Sequence, residues 1–169
     1  VMGGESTSTI TVGSGVGVWK GEVKVVDSLQ APGFCTLRTD NLDEKPFPDS
    51  TGTTYFTVRM EEASGLPVET FKAEIRATGV TDSQLMYQAK LSDEYCCGTR
   101  CQVPWSAFEL SWRGQEVDGP ALSENLDKIT TIGLGTSGTA GEFSLSINSF
   151  SGTCYPQDCN EEKTQLVAA

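Results

Sequence analysis

An all-β domain made of two packed antiparallel sheets, a β-sandwich, is the fold class this sequence predicts. Three observations carry it: short runs in which apolar and polar residues alternate, connections rich in Gly, Pro, Ser and Asp, and almost no helical periodicity. Alternation buries one face of a strand and wets the other, because successive side chains point to opposite sides. The connections fit a jelly-roll or a Greek key, with at most one short helix.

The first predicted strand lies in residues 18–25, where Trp19, Val23 and Val25 share one parity and Lys20, Glu22 and Lys24 the other. Gly21 leaves a gap on its inner face. Residues 34–38 repeat the signature, and residues 53–60 place Phe56, Val58 and Met60 on one side. Residues 69–77 alternate most strictly, Phe71, Ala73, Ile75 and Ala77 against Thr70, Lys72, Glu74 and Arg76. Residues 85–91 turn Leu85, Tyr87, Ala89 and Leu91 inward; residues 129–134 and 142–147 complete the set, the last with Phe143, Leu145 and Ile147 aligned. Residues 40–53, 64–67 and 135–141 are turn-rich connections. Ser106, with Glu109 three residues on, has capping-box spacing for one brief helix carrying Ala107, Phe108 and Leu110.

A length of 169 residues suits one domain with a core of its own. We assign residues 1–153 to the sandwich and residues 154–169 to a cysteine-containing tail that past Cys159 turns polar and is expected to fray. With 12 Lys and Arg against 23 Asp and Glu, the net charge of −11 repels phosphate backbones and anionic lipid headgroups, which argues against nucleic acid as a partner. No apolar run approaches the roughly 20 residues of a spanning helix, so direct membrane insertion is not expected. The sequence has no His, the commonest general base and zinc ligand. It opens without a charged start, apolar stretch or cleavage pattern, and any targeting segment is expected to lie outside it.

Six cysteines, Cys35, Cys96, Cys97, Cys101, Cys154 and Cys159, are many for a reducing compartment, and all six are disulfide candidates. Cys96, Cys97 and Cys101 lack the paired C-x-x-C knuckles of a zinc site, which favours disulfides over a metal. Cys154 and Cys159 can bridge each other locally or reach back to the Cys96–Cys101 loop. Cys35, inside a predicted strand, reads as a small buried hydrophobe of uncertain pairing. Trp105, Trp112 and Arg113, on an irregular segment, are the binding candidates: a protein anchor or sugar platform, or alternatively core plugs. Asp40, Asn41, Asp43, Glu44 and Asp49 offer oxygen ligands for Ca²⁺, but without EF-hand spacing they read as a solvated loop. Glu61-Glu62 and Asp93-Glu94 are adjacent, so as strand neighbours they face opposite ways and cannot flank a sugar for hydrolysis. Gly13-Ser14-Gly15-Val16-Gly17 and Gly133-Leu134-Gly135 lack the strand-to-helix context of phosphate loops and read as turns and close-packing positions. No catalytic residue, cofactor or metal is called for.

The opening Val1-Met2-Gly3-Gly4-Glu5-Ser6 resembles the Val-Met-Gly-Gly-x-Ser signature of the complex I intermediate-associated protein family. Trp19-Lys20-Gly21-Glu22-Val23, the run Gly33-Phe34-Cys35-Thr36-Leu37-Arg38-Thr39 and Thr54-Tyr55-Phe56-Thr57-Val58-Arg59 follow in the family's order. The strongest block is Val103-Pro104-Trp105-Ser106-Ala107-Phe108, continued by Trp112-Arg113-Gly114, residues 129–134 and residues 141–147, so the resemblance spans roughly residues 1–150. It implies a galactose-binding-like sandwich, a role in assembling the membrane-bound NADH dehydrogenase complex, no catalytic residues and, since further residues usually precede the signature, a native start upstream. The extra cysteines depart from the family pattern and favour an oxidising space. The expectation placed first is therefore a non-catalytic extrinsic subunit on a photosystem in the thylakoid lumen, docking on subunits of a membrane-bound photosynthetic or respiratory complex. The alternatives are a mitochondrial complex I assembly factor and a carbohydrate-binding module.

Overall fold

The computed structural model describes residues 4–40, 46–78 and 85–156. In chain order the strands are β1 (Thr7–Gly13), β2 (Val16–Val23), β3 (Val25–Val26), β4 (Ala31–Pro32), β5 (Thr36–Arg38), β6 (Tyr55–Gly65) and β7 (Phe71–Ala77). They continue with β8 (Leu85–Lys90), β9 (Cys96–Cys97), β10 (Arg100–Pro104), β11 (Glu109–Trp112), β12 (Gln115–Glu116), β13 (Ile129–Thr136) and β14 (Gly141–Thr153). Two sheets result, one ordered β1-β2-β14-β6-β10-β9 and the other β12-β11-β8-β7-β13-β5, with β3 and β4 forming a small separate ribbon. The pairings are antiparallel, for example Trp19 opposite Leu145 and Ile75 opposite Tyr87. The protein is the two-sheet β-sandwich that alternation predicts.

The core forms where the inward parities meet. Trp19, Val23, Phe56, Val58, Phe143 and Leu145 face Phe71, Ala73, Ile75, Tyr87, Ala89 and Leu134. Trp19 packs edge-on against Phe143 at 4.7 Å and Phe71 at 6.2 Å between ring centroids. The gap left by Gly21 is taken by the Phe143 ring, which a Cβ at that position would approach to 2.8 Å.

Several boundaries differ from the sequence expectation, each for a local reason. Val25 is 46% exposed while Val26 is buried, because β2 ends at Val23 and the alternation changes frame in the β3–β4 ribbon. Phe34 is 62% exposed, and its strand begins only at Thr36. The connection expected at residues 64–67 begins inside β6, whose pairing with β14 continues through Gly65 opposite Phe143. The expected helix is a single 3-10 turn, Trp105–Ala107, without a side-chain cap. Pro104 precedes the turn, and Glu109 joins β11 by pairing with Gln88, so the chain never has the length to propagate a helix. Among the described residues no helix is long and apolar enough to cross a membrane.

Candidate functional site

Three surface regions gather the chemistry singled out above, and the first is the hairpin of β9 and β10. Cys96 and Cys101 stand directly opposite each other in its register and form a disulfide, their Cα atoms 4.0 Å apart. Cys101 is fully buried beneath it, which ties this edge of the first sheet to the core. Cys97 is also disulfide-bonded. Cys159 lies outside the described residues. Cys154 is an exposed free thiol within hydrogen-bond reach of the Gly52 carbonyl, so the local Cys154–Cys159 bridge is not formed. Cys35 is a buried free thiol just ahead of β5, not within it, and is not a disulfide partner. Its Sγ donates to the Thr7 carbonyl at 3.5 Å, and burial raises its pKa although a Ser8 hydrogen bond pulls the other way.

The tryptophans separate. Trp105 is 5% exposed, its ring among Phe56 and Phe108 and its Nε1–H donating to Thr53 Oγ1 at 2.9 Å. It is a core residue and not a surface anchor, because the 3-10 turn folds it under the end of the first sheet. Trp112, at the end of β11, is 38% exposed, with the Arg113 guanidinium carbon 4.5 Å from its ring centroid. Arg113 and Gly114 both have positive φ, 52° and 81°, closing β11 onto β12 with a two-residue turn of the primed type. This turn presents a cation stacked on an aromatic face at the tip of the second sheet.

The third region escaped the sequence reading. On the outer face of the first sheet, Thr9, Lys20, Ser144 and Ser64 form one row across β1, β2, β14 and β6, with Thr7, Glu22 and Glu142 in the next. With Gly21 and Gly65 among the serines and threonines, this face holds a concavity of about 600 Å³. Outward parity on β2 and β14 was visible in the sequence; that their rows align was not, since Lys20 and Ser144 are far apart in the chain. The face has hydroxyls and both signs of charge, and the aromatic that lines it, Phe143, is buried in the core, so it lacks the stacking surface of a sugar site.

Among the described residues no group of three or more His, Cys, Asp or Glu is arranged to hold a metal. Asp40 and Asp49 of the acidic loop are described, whereas residues 41–45 lie outside. Asp49 accepts the Thr51 N–H at 2.7 Å, and hydrogen bonding from the Thr51 side chain, then its backbone, lowers its pKa. Glu61 and Glu62 are exposed on β6, and Asp93 and Glu94 are exposed in the turn after β8 rather than on a strand. Among the described residues the most buried carboxylate is Glu74, held by Arg38 Nε at 2.9 Å and Gln88 Nε2 at 2.9 Å on the outer face of the second sheet. Gly133 and Gly135 lie beside it on β13 and are close-packing positions, not turns.

Fold and surface together define a disulfide-stapled β-sandwich domain with open polar and aromatic contact faces. The sequence profile of complex I intermediate-associated protein 30 (CIA30) matches residues 1–147. The chain belongs to this family. No curated protein matches it.

Proposed function

We propose that this domain is a non-catalytic docking module that binds an assembly intermediate of respiratory complex I. The observation that carries the reading is the CIA30 match over residues 1–147, whose family name denotes association with complex I intermediates. The site chemistry agrees with it: the buried carboxylate Glu74 is engaged by Arg38 and Gln88 within the fold and is not held out towards a substrate. The Trp112–Arg113 tip supplies a rigid aromatic and cationic anchor of the kind that dominates protein interfaces.

The photosystem placement has no support in the comparisons; it rested on cysteines and charge, and the family match favours the mitochondrial alternative. The disulfide Cys96–Cys101 is a local staple within one hairpin and names no compartment by itself. The carbohydrate reading is weakened by the buried Trp105 and by a concave face without a stacking tryptophan or tyrosine.

The deciding experiment is native-gel separation of solubilised mitochondrial membranes with mass spectrometry of the bands carrying this chain. Co-migration with a subcomplex of complex I that disappears when Trp112 and Arg113 are both replaced by Ala is the expected result. Migration of the unaltered chain alone would overturn the reading.

A further inference from the structure

On the first sheet, β10 and β6 pair so that Arg100 stands directly opposite Arg59. Their neighbours in register, Cys101 opposite Val58, are fully buried in the core, so alternation turns both arginines to the outer face. Like charges directly opposite on neighbouring strands repel, and among the described residues neither arginine has an ion-pair partner. Glu61, two residues along β6, is occupied by the Asn148 amide at 2.9 Å. Arg100 Nε is buried and has no hydrogen-bond partner. One pair further along the same face, Gln102 donates through Nε2 to Thr153 Oγ1 at 2.9 Å and to the Tyr155 carbonyl at 3.2 Å, while its buried Oε1 has no partner.

The second sheet offers an instructive contrast. Lys72 stands opposite Lys90, but ammonium groups on long flexible stems swing apart into water. Arg100 has no such freedom at Nε, which is already out of water. A chain of net charge −11 that still sets two arginines directly opposite each other in register, one with its Nε buried, gives up local stability unless an oxyanion completes them.

We propose that Arg59 and Arg100 form a receptor for a carboxylate of a protein partner, an Asp or Glu on an extended acidic segment. This deepens the docking reading and rests on it for the choice of a protein ligand. The carboxylate would accept from both guanidiniums, and the outer face of the sheet leaves Arg59 open to it. Because the field of the whole chain repels acids at long range, recognition works at contact and selects a segment held in place by other parts of the interface.

The test uses a fluorescent hexaglutamate peptide as probe, with the full chain and its R59Q/R100Q variant, at low and high salt. The expected result is saturable binding to the unaltered chain that weakens about tenfold in the variant and on screening by salt. Equal binding by the two proteins, or none by either, overturns the proposal. Inorganic phosphate competing as well as the peptide would make this a small-anion site and overturn it as a docking point. The thermal midpoint gives a second readout: the variant should melt no lower than the unaltered chain, and a lower midpoint would make the arginines structural. Loss of co-migration in native gels with peptide binding intact would count against the complex I reading and leave this receptor standing.

Discussion

Gly133 and Gly135 show how a single missing Cβ shapes this surface. A Cβ at Gly133 would stand 2.3 Å from the Leu37 carbonyl and 2.8 Å from Arg38 Cγ; one at Gly135 would stand 2.6 Å from Glu74 Oε1. The glycines open the channel through which Arg38, on β5, reaches across β13 to Glu74 on β7. Gly133→Ala should therefore lower stability by about 1–3 kcal/mol in urea unfolding, as overpacking against fixed backbone does. Tyr87 gives a pH-dependent prediction. Its hydroxyl donates to the Pro120 carbonyl at 3.0 Å, and burial, then the charge of Glu124, raises its pKa, with Asn125 offsetting in part. Below the ordinary phenol value of 10.0 both folded and unfolded states hold the proton, and this contribution to stability is whole. Above it the unfolded chain ionises first, so stability is lost as pH rises towards the folded value. Tyr87→Phe should cost about 1 kcal/mol at neutral pH and flatten the alkaline decline seen in denaturation series. The sequence showed these glycines as close-packing candidates but not the ion pair they admit. Likewise the Arg59–Arg100 pair depends on a register between strands that no local pattern encodes.

At the scale of elements, legibility follows the number of faces that are buried. Strands β7, β8 and β14 turn alternate residues into the core and were read from alternation, whereas β13, central in its sheet, is buried along nearly its whole length on both faces. Strand β1 was missed because it is an edge strand exposed on both faces, written in Thr and Ser with Ile10 and Val12 left largely outside. The short strands β9, β11 and β12 are specified by turns and partners more than by their own residues. The β9–β10 hairpin illustrates this, since its stability comes in part from the Cys96–Cys101 staple. Cys96→Ala opens a very short loop, and chain entropy sets the expected loss at about 2 kcal/mol in equilibrium unfolding. A loss near zero would mean that pairing of β10 with β6 alone holds the edge. Cysteine pairing itself was not legible, because six thiols are compatible with many arrangements and only the register of β9 against β10 selects one.

For the whole molecule, charge and topology set the terms. The net charge of −11 is large for 169 residues, and of the ion pairs Lys24–Glu22, Lys128–Asp127 and Arg38–Glu74 the first two are exposed. Self-repulsion should therefore dominate the salt response, with the thermal midpoint rising by a few degrees from low to physiological ionic strength. A midpoint that falls with added salt would show that attractive pairs outweigh repulsion. The topology brings distant parts of the chain together: β2 lies against β14, and β5 against β13. The position of β14, bonded to β2 over Gly141–Ile147 and to β6 over Phe143–Thr153, also governs how the chain can be made. A polypeptide emerging N-terminus first presents β2 and β6 long before the strand that joins them exists. During that interval both edges stand open to any neighbouring strand, an exposure to mispairing that ends only when residues 141–153 arrive and close the sheet.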